Sequence, residues 1–526
     1  MKPMRAAFWA LTMVNVVVAW SLPLIPGHDL PQHLAYARIL ADRDDPYVRS
    51  LYEIDTTDAY ATIHRVLALI AGHASLDTAL RIVYCSYALL VPLSFAWLVR
   101  AVRGPSGSHV AVLGTALVWN PVVCMGFLPF MLSLPPFLFG VACAVRFGRS
   151  RSLLDAAGLI ASTLLLGVIH VVAMGFFAVF VVLLAVAAMR RFHRAAVITL
   201  AASAVVLARP SPSTALHGAL PRFGFTWTSA GEKTNMLLAT VFGPFPHHVR
   251  LAVELGVLIV AVVVVVHRAR SVVAPREHER AFVCALALFF LLALAVPHSV
   301  REPDDLSYID FRLFVFVFAL GLAAIPPRWF ALEAPRVALC ASLALLTLCW
   351  TTRLALASKE IEDGAMLVRR LDKSDRLLSL SFHDRSAFFD ESNGMNHYVG
   401  VYHTVFSGGV TSLFWGKFAR HLPVGYRAGM EPPHPADWVP SDFTDAQVRG
   451  ATHVLVAWPD QDDSRRQRRG ASRLRDMKEL YELACRGRYC LYSVLTQSGA
   501  MERPASASES EGNPSMHRTV GAMSAR

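Results

Sequence analysis

The chain has 526 residues, of which 54% are hydrophobic and 17% charged, and its mean hydropathy is +0.43. Soluble domains carry about 25% charge, so this composition excludes a soluble globule and turns the apolar surplus toward lipid. The formal charge of +11 invites a nucleic-acid reading, but the arginines fall in short loops between apolar blocks, where the positive-inside rule places them, and no basic stripe interleaves with aromatics. Membrane lipids are expected partners and nucleic acid is not.

A helix that crosses the ~30 Å hydrocarbon layer needs ~20 apolar residues. Residues 6–24 meet that length after Lys2 and Arg5, and with no small-residue cleavage site they read as a retained first span starting in the cytoplasm. Residues 26–58 hold Asp29, Asp42, Asp44, Asp45, Glu53, Asp55 and Asp58 and are expected outside. Residues 59–73, interrupted by His64, Arg65 and Gly72, suit a helix lying in the interface, within a first external loop of 26–76. The span 79–99 then returns to the cytoplasm at Arg100 and Arg103.

Further spans are predicted at 109–124, 128–145, 153–169, 171–189, 195–208, 249–266, 281–297, 312–325 and 337–355, about eleven crossings in all. Arg146, Arg149 and Arg151, then Arg190, Arg191 and Arg194, then Arg268, Arg270, Arg276 and Arg280, and finally Arg328 and Arg336 all fall on the cytoplasmic side. The odd number delivers residues 357–496 outside, where an amphipathic linker helix at 359–380 and buried strands at 377–382, 452–458 and 491–495 predict a small α/β domain. Residues 497–526 show no periodicity and are expected to be disordered. The predicted fold is thus mainly α: a polytopic helical membrane domain over 1–356 with interfacial helices, followed by a small external C-terminal α/β domain. Six of the eight cysteines sit in or beside apolar blocks, while Cys485 and Cys490 either close a small disulfide loop or stay as two thiols.

The run Pro26-Gly27-His28-Asp29-Leu30-Pro31-Gln32-His33 puts a carboxylate and two imidazoles just beyond the first span. A carboxylate there is placed to take a proton from an acceptor hydroxyl, and equally to cap the following helix, with Pro31 in its first turn. His28, Asp29 and His33 have spacings compatible with a divalent metal ion, a weak signal from one short loop. His170 interrupts an apolar stretch at an outer turn, where it either faces a cavity or is a satisfied structural group; His247 and His248 are expected at the interface. No Walker motif, dinucleotide glycine pattern or nucleophile elbow occurs, so ATP-driven transport and serine hydrolysis lack support.

The layout resembles the GT-C superfamily of polyprenyl-phosphate-dependent glycosyltransferases, which includes the protein O-mannosyltransferases and the lipid A aminoarabinose transferases. The likeness is carried by Gly27 to Arg38, by Tyr60 to Tyr84, by Asn120 to Phe130 and by the tail segment His397 to Phe414, with Tyr402, Gly408, Gly409 and Phe414. The resemblance implies transfer of a sugar from a lipid-linked phosphate donor to an acceptor at the non-cytoplasmic face of a bacterial inner membrane. It makes Asp29 the general base and an inverting displacement the reaction. Lys233, Arg301 and Arg312 are the outer-face cations that would hold the phosphate, each with the bland alternative of a snorkelling or ion-paired charge. His33 and His170 would line the same cavity. Some relatives supply a second carboxylate from the next external loop, but residues 120–134 contain none, which weakens metal assistance; Asp304, Asp305 or Asp310 would have to substitute. A transporter or flippase, or a non-catalytic scaffold of the same fold, are the competing classes, and no internal repeat favours transport.

Overall fold

A computed structural model describes residues 2–54, 61–208, 225–242, 276–300, 307–330, 332–383, 385–386, 388–389, 396–415, 424–427, 429–432, 434–435, 439–460 and 463–495. In chain order the helical body comprises α1 (Lys2–Ser21), α2 (Leu30–Ala41), α3 (Pro46–Leu51), β1 (Tyr52–Ile54), α4 (Thr62–Ala71) and α5 (Leu76–Arg103). It continues with α6 (Pro121–Cys124), α7 (Leu128–Leu132), α8 (Leu134–Ser150), α9 (Leu153–Ile169), α10 (Val171–Ala187) and α11 (Met189–Leu207). After these come β2 (Phe225–Thr226), α12 (Ala230–Phe242), α13 (Glu277–Ala295), β3 (Ser299–Val300), α14 (Ile309–Ala324) and α15 (Glu333–Val368). The C-terminal part holds β4 (Arg376–Ser381), α16 (Tyr402–Ser407), β5 (Val410–Thr411), β6 (Val424–Tyr426), α17 (Asp445–Arg449), β7 (His453–Ala457), α18 (Arg465–Arg475), β8 (Leu480–Arg486) and β9 (Tyr489–Val494).

Among the described residues, five helical stretches are long and apolar enough to cross a membrane: Pro3–Ser21, Leu76–Arg103, Leu128–Ser150, Glu277–Ala295 and Glu333–Val368. Val17, Leu153, Leu154, Val186, Leu207 and Leu348 stay exposed on the bundle, as side chains do when lipid is their solvent. The protein is therefore a polytopic helical membrane protein. Polar contacts gather at the two ends of the bundle. At one, Arg103 pairs with Glu279 at 3.0 Å and His278 Nε2 lies 3.1 Å from the Val102 carbonyl; at the other lie the turns after α1, α6, α9 and before α14.

Two stretches depart from expectation. Residues 109–124 do not form one spanning helix: 3-10 turns at Pro105–His109 and Ala111–Leu117 lead into the short α6. Pro121 holds the preceding Asn120 in extended backbone, and the Asn120 side chain caps α6 by accepting from Val122 N at 3.0 Å and Val123 N at 3.3 Å. The linker at 359–380 is not a separate helix. α15 runs on through it to Val368, a turn follows, and β4 begins at Arg376. The segment 249–266 lies outside the described residues.

The three predicted strands are present as β4, β7 and β9, and β8 joins them in a five-stranded sheet ordered β5-β4-β7-β9-β8. β5, β4 and β7 are parallel; β9 and β8 form an antiparallel hairpin that the Cys485–Cys490 disulfide ties across. The alternation of side chains splits the sheet between two cores. Leu377, Leu455, Tyr489 and Leu491 join the main core with α15, while Leu378, Leu380, Val454 and Val456 pack on Ala471 and Leu474 of α18. Gly364 of α15 sits where a Cβ would come within 2.6 Å of Val399 and 2.9 Å of Tyr489, so helix and sheet approach closely there. Glu360 on the same helix accepts from Ser386 at 2.8 Å and from Asn396 at 3.0 Å, and pairs with Arg488 at 3.3 Å.

Candidate active site

The turn between α1 and α2 is held by backbone. His28 N donates to Cys124 O and Asp29 N to Met125 O, both at 2.9 Å, so the two loops that follow α1 and α6 form one surface. Gly126 allows this: its φ is +71°, and a Cβ there would lie 2.6 Å from Leu30 N and 2.8 Å from Asp29 N. Asn120 braces the partner loop, donating to Tyr87 Oη at 3.1 Å and Leu117 O at 3.0 Å.

Asp29 occupies the N-cap position of α2, with Pro31 in the first turn, yet its side chain makes no capping hydrogen bond. Instead the carboxylate is buried, 6% exposed, with His28 Nε2 at 3.5 Å. Burial pushes its pKa up to about 6, against the opposing charges of His28 and Arg312. His28 in turn packs on Tyr398, ring centroids 4.8 Å apart, and on His397 at 6.1 Å.

Arg312 enters from α14 with its guanidinium over the Phe127 ring at 4.2 Å and 5.7 Å from that of Phe130. Phe130 also carries the His170 ring edge-on at 5.2 Å, so Arg312 and His170 flank one aromatic platform. His170 ends α9 and opens α10. Tyr308, which opens α14 in left-handed backbone with φ +62°, stacks obliquely on Phe127 at 5.9 Å. A non-glycine residue in that conformation carries about 1–3 kcal/mol of strain.

His33 lies one turn along α2 from Asp29, but its Nδ1 faces His64 Nε2 of α4 at 2.9 Å. Burial, with the charges of His64, Arg312 and His170, holds His33 well below the ordinary imidazole range and hence neutral. His28, Asp29 and His33 accordingly do not bring three ligand atoms together. Among the described residues the sole triad of such groups is Glu482, Cys485 and Cys490, whose two sulfurs are already bonded to each other. His28, Asp29 and His33, a weak candidate set for a divalent ion, therefore do not fit one.

Lys233 is not brought to Asp29. Its ammonium donates to the carbonyls of Leu294 at 2.8 Å and Val296 at 2.6 Å, at the C-terminal end of α13, with Asp310 at 3.7 Å. Asp310 is spent as well, accepting from Thr228 at 3.1 Å and Phe311 N at 2.8 Å, with His298 Nδ1 at 2.9 Å. In this arrangement Lys233 and Asp310 join α12, α13 and α14 to one another. Arg301, Asp304, Asp305, His247 and His248 lie outside the described residues.

The segment 396–415 roofs the site. Gln32 Nε2 donates to Leu413 O at 2.6 Å and Gln32 Oε1 accepts from Trp415 N at 3.1 Å, while Trp415 Nε1 donates to Tyr398 Oη at 3.0 Å. The sequence marks the segment His397 to Phe414 by resemblance alone and gives Tyr398, His397 and Trp415 no part in the site. The signal within reach was the aromatic and histidine density of 396–415, but nothing local ties it to a turn almost 400 residues earlier.

No family profile and no curated protein sequence matches the chain. In fold it is similar to ArnT from Cupriavidus metallidurans. The structure of ArnT bound to undecaprenyl phosphate superposes with TM-score 0.53 at 13% identity, covering 92% of this chain and 97% of that one. The apo structure superposes with TM-score 0.54 at 13% identity, covering 94% and 98%. Nearly the whole chain thus shares its fold with ArnT.

Proposed function

We propose that a chain with this fold is an integral membrane glycosyltransferase of a bacterial inner membrane, moving a sugar from a polyprenyl-phosphate donor to an acceptor at the non-cytoplasmic face. The N-terminus is cytoplasmic and the C-terminal sheet lies outside in this reading. The observation that carries it is Asp29: a buried carboxylate at the end of the first span, with no capping bond of its own and in the electrostatic field of Arg312. The likeness to ArnT, which binds undecaprenyl phosphate in one structure, supports a lipid phosphate as the donor.

Asp29 is the general base. With a pKa of about 6 it is ionised at neutral pH and still basic enough to receive a proton. The acceptor oxygen attacks the anomeric carbon from the face opposite the phosphate as its proton passes to Asp29; the carbon–oxygen bond to phosphate breaks and its electron pair leaves with the lipid phosphate, inverting the anomeric centre. Arg312 grips the departing phosphate, where a planar guanidinium laid on Phe127 offers paired donors to two oxygens. Arg301 remains a second phosphate ligand on sequence grounds. His170 and neutral His33 complete the wall.

The test is release of polyprenyl phosphate from a panel of polyprenyl-phosphate sugars, with purified protein in proteoliposomes supplied with envelope glycan and lipid extract. Asp29→Asn is expected to lower that release by about 10²–10⁴-fold with an intact melting transition. Full activity in that variant would overturn the mechanism. A transporter would instead carry the lipid across the bilayer without consuming it.

A further inference from the structure

α18 has the sequence RRQRRGASRLR, six arginines and no acidic residue in eleven positions. Arg465, Arg469 and Arg473 follow one another at i, i+4 and i+8, which stacks like charges along one ridge, an arrangement that destabilises a helix standing alone. A solvated helix face usually interleaves both signs. Here the ridge borders a hollow of about 300 Å³ lined by Ser441, Arg465, Arg466, Arg469, Gly470 and Arg473. Gly470 forms its floor, since a Cβ there would lie 2.8 Å from Ser441 Cα and 2.9 Å from Phe382.

Two of the four guanidiniums are fixed beforehand. Arg466 pairs with Asp442, and Arg473 lies 3.9 Å from the Phe443 ring centre while donating to the Phe443 carbonyl. Among the described residues no acidic side chain meets Arg465 or Arg469, so the hollow holds more positive charge than its walls neutralise. Arg465 and Arg466 bring the first turn of α18 to the hollow, and the N-terminal dipole of that helix adds to the attraction for an anion. Arginine forks match phosphate oxygens in pairs. The volume is at the small end for ligand sites, and no aromatic ring among the lining residues offers a nucleobase a stacking partner.

We infer that this hollow is a binding site for a small soluble molecule that carries a phosphate group, distinct from the Asp29 site and on the face of the sheet turned away from α15. The site stands on α18 alone, so its failure would leave the proposed transferase chemistry untouched, and the converse holds.

The full-length protein in detergent is titrated with glucose 6-phosphate, with glucose, with inorganic phosphate and with phosphatidylglycerol vesicles. Saturable binding of glucose 6-phosphate and of inorganic phosphate, absent for glucose, is expected, and it weakens as salt rises. The double variant Arg465→Gln/Arg469→Gln should lose about tenfold or more in affinity, whereas Arg468→Gln, off the lining, should keep it. Equal binding by wild type and double variant overturns the site. Capture of the vesicles without either soluble phosphate overturns the assignment to a soluble ligand.

Discussion

Asp29 draws its basicity from being enclosed, and this makes its chemistry readable by pH. The native carboxyl, at about 6, keeps a proton that an unfolded aspartate, near 3.8, releases. Folding stability therefore falls as pH rises from about 4 to 6, a deficit on the order of 3 kcal/mol above that window. Asp29→Asn is expected to melt at a higher temperature than wild type at pH 7.5 and at the same temperature near pH 3.5, which thermal unfolding in detergent checks. Wild-type transfer should rise to a plateau above about pH 6. Because the Arg312 charge pulls the carboxyl down, Arg312→Gln should shift that profile upward and raise KM for the lipid donor. Arg312→Lys, which keeps charge but loses the fork over Phe127, should restore the pH profile and only part of the donor affinity.

Elements place that carboxylate through backbone more than through side chains. Two main-chain hydrogen bonds from His28 and Asp29 reach the turn after α6, and Gly126 leaves room for them. Gly126→Ala is expected to cost about 1–3 kcal/mol, since it combines a left-handed φ with a collision against Asp29 N, and to lower transfer further by displacing the base. Thermal melting and turnover measured on the same preparation separate the two effects. The same logic explains why 109–124 breaks up where hydropathy predicts a crossing. Hydropathy reports only that a stretch is apolar, while Pro121 and the Asn120 cap decide that the chain turns and presents its carbonyls to the loop after α1. Lys233 is the opposite lesson. It is buried, with its ammonium donating to the Leu294 and Val296 carbonyls at the end of α13 and ion-paired with Asp310.

At the scale of the molecule, the C-terminal part is fastened over the site. β1 pairs with β6, Lys373 pairs with Asp45, and Gln32 bridges Leu413 and Trp415. Gln32→Ala would leave a buried carbonyl and amide unpaired, at about 1–3 kcal/mol each, and should speed amide exchange across 396–415 while α1 and α5 stay protected. Composition and local pattern alone determined that the chain lives in a membrane, where its apolar blocks lie, that 377–382, 452–458 and 491–495 are strands, and that Asp29 follows the first span. Those properties follow from residue type and short-range periodicity, which any window of the chain displays. Only the tertiary structure decided that Asp29 is enclosed instead of capping, that Arg312 and His170 share Phe130, that Lys233 is spent elsewhere, that Cys485 and Cys490 pair, and that Tyr398 and Trp415 roof the base. Each of these depends on which distant segments meet, and that is set by packing of the whole chain, to which a short stretch carries no pointer.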